Sequence, residues 1–218
     1  MEKVCILIDS ANFYHLVLKK LNIQEIDFDF GTFTKFLVGE REVIEEGKRF
    51  YVATVRENYE SKQAMSNQTR LFTVLLSEEE PWQIKTSKLR TRTEEIKIDK
   101  RVTDYQKLLS LGVTEIEYKK SREKGIDVKI ATDLIIGAVD KKYDTAILIS
   151  SDTDLVPAID VVRNRFHKKV EYVGFSMPKN NAYESTEPSN RMIKKTDIKR
   201  VLIEADVKPF IRKNLFNR

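Results

Sequence analysis

The chain is short of the residues that build thiolate metal centres and histidine-based hydrolases. Among its 218 residues are one cysteine and two histidines. Cys5 can form no internal disulfide, and inside an apolar run it reads as a small core residue in a reducing compartment. No zinc site of ordinary type can be assembled from this set. A Ser-His-Asp arrangement would need His15 or His167, and no G-x-S-x-G elbow accompanies either. His167, just before Lys168 and Lys169, reads instead as the end of a helix. No apolar run approaches 18 residues, so no membrane span is expected. Met1-Glu2-Lys3 leads directly into a short apolar run, too brief for a signal-peptide core, and the cytoplasm is the expected location. No G-x-G-x-x-G follows any apolar run, which argues against a dinucleotide-binding enzyme. Lys and Arg (39) exceed Asp and Glu (34), a net charge of +5 that suits a nucleic-acid partner without requiring one.

What the chain does have is a pair of buried-strand patterns that end in acids. Ala146–Ile149 is almost purely apolar, the pattern of a strand covered on both faces of a parallel sheet. It stops at Ser150-Ser151-Asp152-Thr153-Asp154. A helical period follows in Leu155, Ala158, Ile159, Val162 and Phe166, with Pro157 in the first turn, and then a second buried strand at Lys169–Val173. Ligands bind at the carboxyl edge of such sheets. Residues i and i+2 leaving a strand point to one side, so Asp152 and Asp154 can face one site. Helix capping accounts for one such acid, not two. Val4-Cys5-Ile6-Leu7-Ile8 repeats the arrangement, ending in Asp9-Ser10-Ala11-Asn12 before a helix with Phe13, Leu16, Val17 and Leu21 on one face. The fold class expected is α/β, a mostly parallel sheet covered by helices on both faces, with Asp9 and Asp152 at one edge.

Between these ends the pattern predicts a short helix at Phe33–Val38, a strand at Arg49–Val55 and a helix from Tyr59 to Leu76 with an inner stripe of Met65, Phe72, Leu75 and Leu76. From Lys85 to Arg101 basic residues alternate with Thr, Ser and a few acids. This is either a solvated hairpin or a basic flap that tracks a phosphate backbone. A helix at Val102–Leu111 and a strand at Thr114–Lys119 follow. A basic loop then runs through Arg122, Lys124 and Gly125 into a helix with Val128, Ala131, Ile135, Ala138 and Val139 on one face. Asp127 falls where an N-cap is expected. Asp133, six residues on and about 240° around the helix, points elsewhere. Ser176 to Asn190 is irregular, and the basic tail from Arg191 carries a strand at Arg200–Ile203 and a short helix after Pro209.

Asp9, Asp127, Asp152 and Asp154 gathered at one edge would raise one another's pKa unless a counter-charge were present. Hard oxygen ligands suit Mg²⁺ or Mn²⁺, which keep waters and accept phosphate oxygens. With no histidine assigned as base, activation of water by the ion is the expected chemistry, as in phosphodiester hydrolysis.

Three blocks, ILIDSAN, EKGIDVKIATDLI and LISSDTDLVPAI, resemble in order the signature blocks of the NYN domain, a PIN-like family of metal-dependent nucleases that includes the LabA relatives. The resemblance spans about residues 3 to 175. It implies a PIN-like three-layer α/β/α sandwich and an acidic metal-binding set of Asp9, Asp127, Asp152 and Asp154. Asn12 neighbours that set, and Ser151 stands beside it in the third block. It also implies RNA as substrate. The chain departs from the family in a basic insertion at about 85–112 and a basic extension at 177–218, leaving 1–176 as the domain proper. Arg90 and Arg92 in the insertion, and Arg122 and Lys124 before Asp127, are the candidate RNA contacts. No membrane partner is expected, and a homo-oligomer is compatible with the sequence. A non-catalytic RNA-binding or regulatory module is the alternative. A glycosyltransferase D-x-D would leave Asp9 and Asp127 unexplained, and an aspartyl-phosphate phosphatase does not fit Ser10-Ala11-Asn12 after Asp9.

Overall fold

Strand alternation divides the interior into two cores. Along β1 (Lys3–Asp9), Val4, Ile6 and Ile8 enter one core while Cys5 and Leu7 enter the other. A strand buried on both sides must lie at the centre of a covered sheet, and in the computed structural model β1 does. The structure describes residues 1–54, 62–88, 90–122 and 125–212, apart from the side chains of 90, 91, 121 and 122.

Six strands form one sheet in the order β3-β2-β1-β6-β7-β8, every adjacent pair parallel. They are β1, β2 (Glu42–Thr54), β3 (Gln83–Lys88), β6 (Thr145–Ile149), β7 (Lys169–Ser176) and β8 (Ile198–Ile203). On one face lie α1 (Ser10–Phe13), α2 (Phe30–Val38) and α3 (Lys62–Leu76). The other carries α5 (Ile126–Val139), α6 (Val156–Phe166) and α7 (Asn190–Lys195). The expected three-layer sandwich is therefore present. The first core is aromatic: Phe13 packs against Phe28, Phe30, Phe33 and Phe175 with ring centroids 5.1–5.8 Å apart, mostly tilted or edge-on as ring quadrupoles prefer. Among the described residues no helix is long and apolar enough to cross a membrane.

Several elements differ from their sequence pattern. In α3 the fully buried positions are Leu71 and Leu75, whereas Leu76 is exposed, because the inward stripe falls at i and i+4. The start expected at Tyr59 lies outside the described residues. Lys85–Arg101 is not a hairpin. Lys85 and Lys88 belong to β3, which extends the main sheet alongside β2. The chain then leaves the sheet as β4 (Arg90–Lys97) and returns as β5 (Glu115–Arg122), an antiparallel ribbon, with the six-residue α4 (Tyr105–Ser110) between its strands. Nor does the segment after Ser176 stand apart from the domain. Its strand β8 pairs with β7 along Glu171–Ser176, and Phe210, in a 3₁₀ turn after α8 (Glu204–Val207), closes the aromatic core.

Near one edge of the sheet, Glu171 on β7 is completely buried between Arg41 Nη1 at 2.7 Å and Arg200 Nη2 at 2.9 Å. Its Oε2 accepts a directed hydrogen bond from Arg41. The approach of Arg200 to Oε1 is close but poorly angled, and Oε1 has no hydrogen bond.

Candidate metal and nuclease site

β1 and β6 run side by side in register from Val4–Thr145 to Ile8–Ile149, so the residues that follow them emerge together. Asp9 is nearly buried and caps α1: its Oδ1 accepts from the Asn12 backbone N–H at 3.0 Å. Its Oδ2 accepts from the Ser150 hydroxyl at 3.1 Å, and Ser150 Oγ in turn accepts from the Asp152 N–H at 3.2 Å. One buried hydroxyl thus joins the two strand-end acids. Asp152 Oδ1 accepts from the Asp154 N–H at 2.8 Å, capping the 3₁₀ turn Thr153–Leu155 that opens α6. Capping and proximity coexist here: both strand-end aspartates cap, and both line one cleft.

That cleft, about 300 Å³, is bordered by Asp9, Asn12, His15, Gly125, Asp127 and Asp152. Asp127 reaches it from α5. It is not the N-cap expected from the sequence; Gly125 occupies that position with φ near 91°, a left-handed conformation that glycine adopts without a Cβ penalty. Asp154 does not border the cleft. The strand ends at Ile149 and the 3₁₀ turn begins at Thr153, so strand alternation no longer aligns residues 152 and 154. Its charge still bears on Asp127.

Burial, more than any other cause, pushes the Asp9 carboxyl up from its ordinary 3.8 to about 6. The hydrogen bonds from Asn12 and Ser150 pull it down, and the charges of Asp127 and Asp152 raise it further. Asp127 is raised by desolvation and then by Asp152 and Asp154. These are the electrostatics of a site short of positive charge.

Asn12 and Ser151 have structural parts to play. Asn12 Oδ1 accepts from the Ser151 N–H at 2.9 Å, locking the loop after β1 to the loop after β6. The Ser151 hydroxyl pairs with the Tyr172 hydroxyl at 2.7 Å, and that oxygen also accepts from the Ser189 N–H at the start of α7. Asp133 points away from the cleft, as its helical angle requires. It accepts from Tyr51 Oη at 2.7 Å and faces Arg49 at 3.8 Å, fastening α5 to β2.

Three of the four candidate RNA contacts fall near one another in the register of the ribbon. Arg90 and Arg122 are directly opposite at one end of the ribbon, with Arg92 opposite Lys120 on the next rung on that face. β5 ends three residues before Gly125, so this end of the ribbon adjoins the cleft in the chain. The side chains of Arg90 and Arg122, and the whole of Lys124, lie outside what the structure describes.

Sequence reasoning missed Ser150 and His15. Ser150 is a small polar residue at a strand end and carries no pattern. His15 had a signal: Asp9, Asn12, His15 and Leu16 recur at helical spacing on one face.

The family model of the NYN domain matches residues 3–197. The chain belongs to the NYN domain family. NYN domains share the fold of PIN-like nucleases and are generally metal-dependent. A solved structure of a protein of unknown function from Vibrio parahaemolyticus RIMD 2210633 has the same fold, with a TM-score of 0.53 at 19% identity over 94% of this chain and 96% of that one. No curated protein matches the chain.

The acids bordering the cleft of this NYN domain, Asp9, Asp127 and Asp152, suit a hard divalent cation, which prefers carboxylate oxygen. Among the described residues no three His, Cys, Asp or Glu side chains stand close enough to grip an ion as placed. Asp9 is fixed by its two hydrogen bonds, so adjustment would fall to the exposed Asp127 and the partly exposed Asp152.

Proposed function

We propose that this NYN domain is a cytoplasmic ribonuclease that uses Mg²⁺ or Mn²⁺ to hydrolyse RNA phosphodiester bonds. The observation that carries the reading is the convergence of Asp9, Asp127 and Asp152, from β1, α5 and the loop after β6, on one cleft where Asp9 is pushed up to about 6. Asp9, Asp127 and Asp152 would hold the ion, with Asp154 adding charge behind Asp127. When bound, the ion supplies an activated water and charge neutralisation at the phosphate. Ser150 and Asn12 hold the two strand-end loops at fixed separation, so the acids keep their spacing as substrate enters. Because carboxylates repel phosphate, the strand needs cations close by. Arg90 and Arg92 on β4, and Arg122 and Lys124 shortly before Gly125 in the sequence, would supply them.

Purified protein should cut single-stranded RNA when Mg²⁺ or Mn²⁺ is added and not in EDTA, and Asp152→Asn should abolish cutting while sparing binding. Binding of RNA without any metal-dependent cleavage would instead identify a non-catalytic RNA-binding module.

Metal alone should also act on stability. A cation that binds the folded acids and not the unfolded chain stabilises by mass action, about 2.7 kcal/mol at a hundred times its dissociation constant. For a domain of this size that is a rise of roughly 5–10 °C in melting temperature. Thermal denaturation with and without millimolar Mn²⁺ reads it directly, and an unchanged midpoint would remove the metal site.

A further inference from the structure

One side chain bordering the acid cleft takes no part in tying its loops together. His15 lines the cleft beside Asp9 and Asn12, and it is solvent-exposed, so an entering ligand can reach its ring. Two local features aim it there. It follows Asn12 by three residues, one helical turn, which keeps the two on one face. After Phe13 the helix widens into a π turn over Tyr14–Leu18, a geometry that recurs at functional positions. The Tyr14 ring meets the imidazole edge-on at 5.4 Å, restraining its orientation.

The chemistry of the cleft gives this ring a task. A phosphodiester entering among three carboxylates needs donors for those non-bridging oxygens that a bound cation does not take. Among the described side chains bordering the cleft, only His15 and the Asn12 amide can donate an N–H; Asn12 is held in place by the Ser151 N–H on its oxygen, whereas the exposed His15 ring is tied to neither loop. Imidazole offers at least one N–H in either protonation state, so the contact does not depend on charge.

We propose that His15 donates a ring N–H to a phosphate oxygen of bound single-stranded RNA, and so forms the substrate-contacting wall of the cleft on the α1 side. This rests on the ribonuclease reading and names one group by which that site holds its substrate.

The test uses the cleavage-deficient Asp152→Asn protein and a short fluorescein-labelled single-stranded RNA, with binding followed by anisotropy. Adding His15→Ala should weaken binding about tenfold, the scale of one hydrogen bond to a charged group. His15→Gln, which keeps an N–H donor, should recover most of the loss, while His15→Phe, a ring without a donor, should not. The melting temperature should stay unchanged in all three, since the residue is exposed. In the cleaving protein His15→Ala should raise KM with little change in kcat, the mark of a contact made equally in ground and transition states. Binding by His15→Ala as tight as by its parent overturns the inference and leaves the ribonuclease reading standing. So does a binding loss that comes with lowered melting and no rescue by glutamine, which would mark a structural role. If the parent binds no RNA and the wild type cuts none with metal, the ribonuclease reading fails and this inference goes with it.

Discussion

Asp9→Asn is expected to cut metal-dependent cleavage by on the order of a hundredfold or more, and at the same time to make the metal-free protein more stable at neutral pH. The two effects have one origin. Asp9 is held nearly buried beside Asp127 and Asp152, and its folded pKa is about 6 against an ordinary 3.8. For an acid raised on folding, the folded state binds the proton more tightly than the unfolded state between those two values. Its contribution to stability is therefore full below about 4, falls as pH rises towards 6, and remains lost above. A shift of about two units corresponds to a ceiling of about 3 kcal/mol.

Asparagine removes that charge and can keep both hydrogen bonds, accepting from the Asn12 N–H and donating to Ser150 Oγ. The gain at pH 7.5 should be about 1–3 kcal/mol, or several degrees of melting temperature. The difference between the two proteins should shrink as pH is lowered from 6 to 4. Lowered carboxylates such as Asp144 and Asp197 impose the opposite trend on both proteins and cancel in the difference. Added Mn²⁺ should reverse the ranking, because the wild type has more to gain from the cation. Equal stability of the two metal-free proteins across this range would mean that Asp9 carries no stored repulsion, which would remove the electrostatic argument for a cation.

How much of this could be read from the chain follows from the range of the interactions involved. β1 and β6 were legible because burial on both faces forces an unbroken apolar run, and the acid at each end marks where the run leaves the core. Asp9 and Asp152 could therefore be placed at one edge without coordinates. The partner of β4 could not. Its ladder closes with β5 across α4, from Lys97–Glu115 at the near end to Arg90–Arg122 at the far one, and among the described side chains neither strand has a buried face to fix its register in the sequence. The sequence suggests Asp127 as the cap because an acid at a helix start satisfies the usual capping pattern, and only the left-handed backbone at Gly125, two residues earlier, shows which of the two ends the loop. Ser150 was invisible for a different reason. Its hydroxyl acquires meaning only when Asp9, 141 residues earlier, arrives 3.1 Å away.

The largest expected loss of stability lies far from the acids, at Arg41. Glu171 has no solvent contact, and only Arg41 gives its carboxylate a directed hydrogen bond among the described residues. Arg41 also donates to the backbone carbonyls of Leu37 and Val38, which end α2 and lack helical partners of their own. Arg41→Ala therefore strands a buried charge and uncaps a helix together. Breaking one side of a buried ion pair costs about 3–5 kcal/mol, and for a domain of this size the melting temperature should fall by roughly 10 °C. Arg200, at 2.9 Å, keeps some compensating charge near Oε1, which places the expected cost towards the lower end of that range. The origin of the loss can be separated from mere truncation. Arg41→Met combined with Glu171→Met exchanges the pair for apolar side chains and should recover most of the loss, since a buried ion pair is worth little more than well-packed hydrophobic residues of similar volume. Urea denaturation of the two variants and the wild type measures both quantities. If Arg41→Ala costs less than about 1 kcal/mol, Glu171 has found another partner; if the double variant is no better than the single, the stability resides in the α2 carbonyls that Arg41 caps and not in the pair.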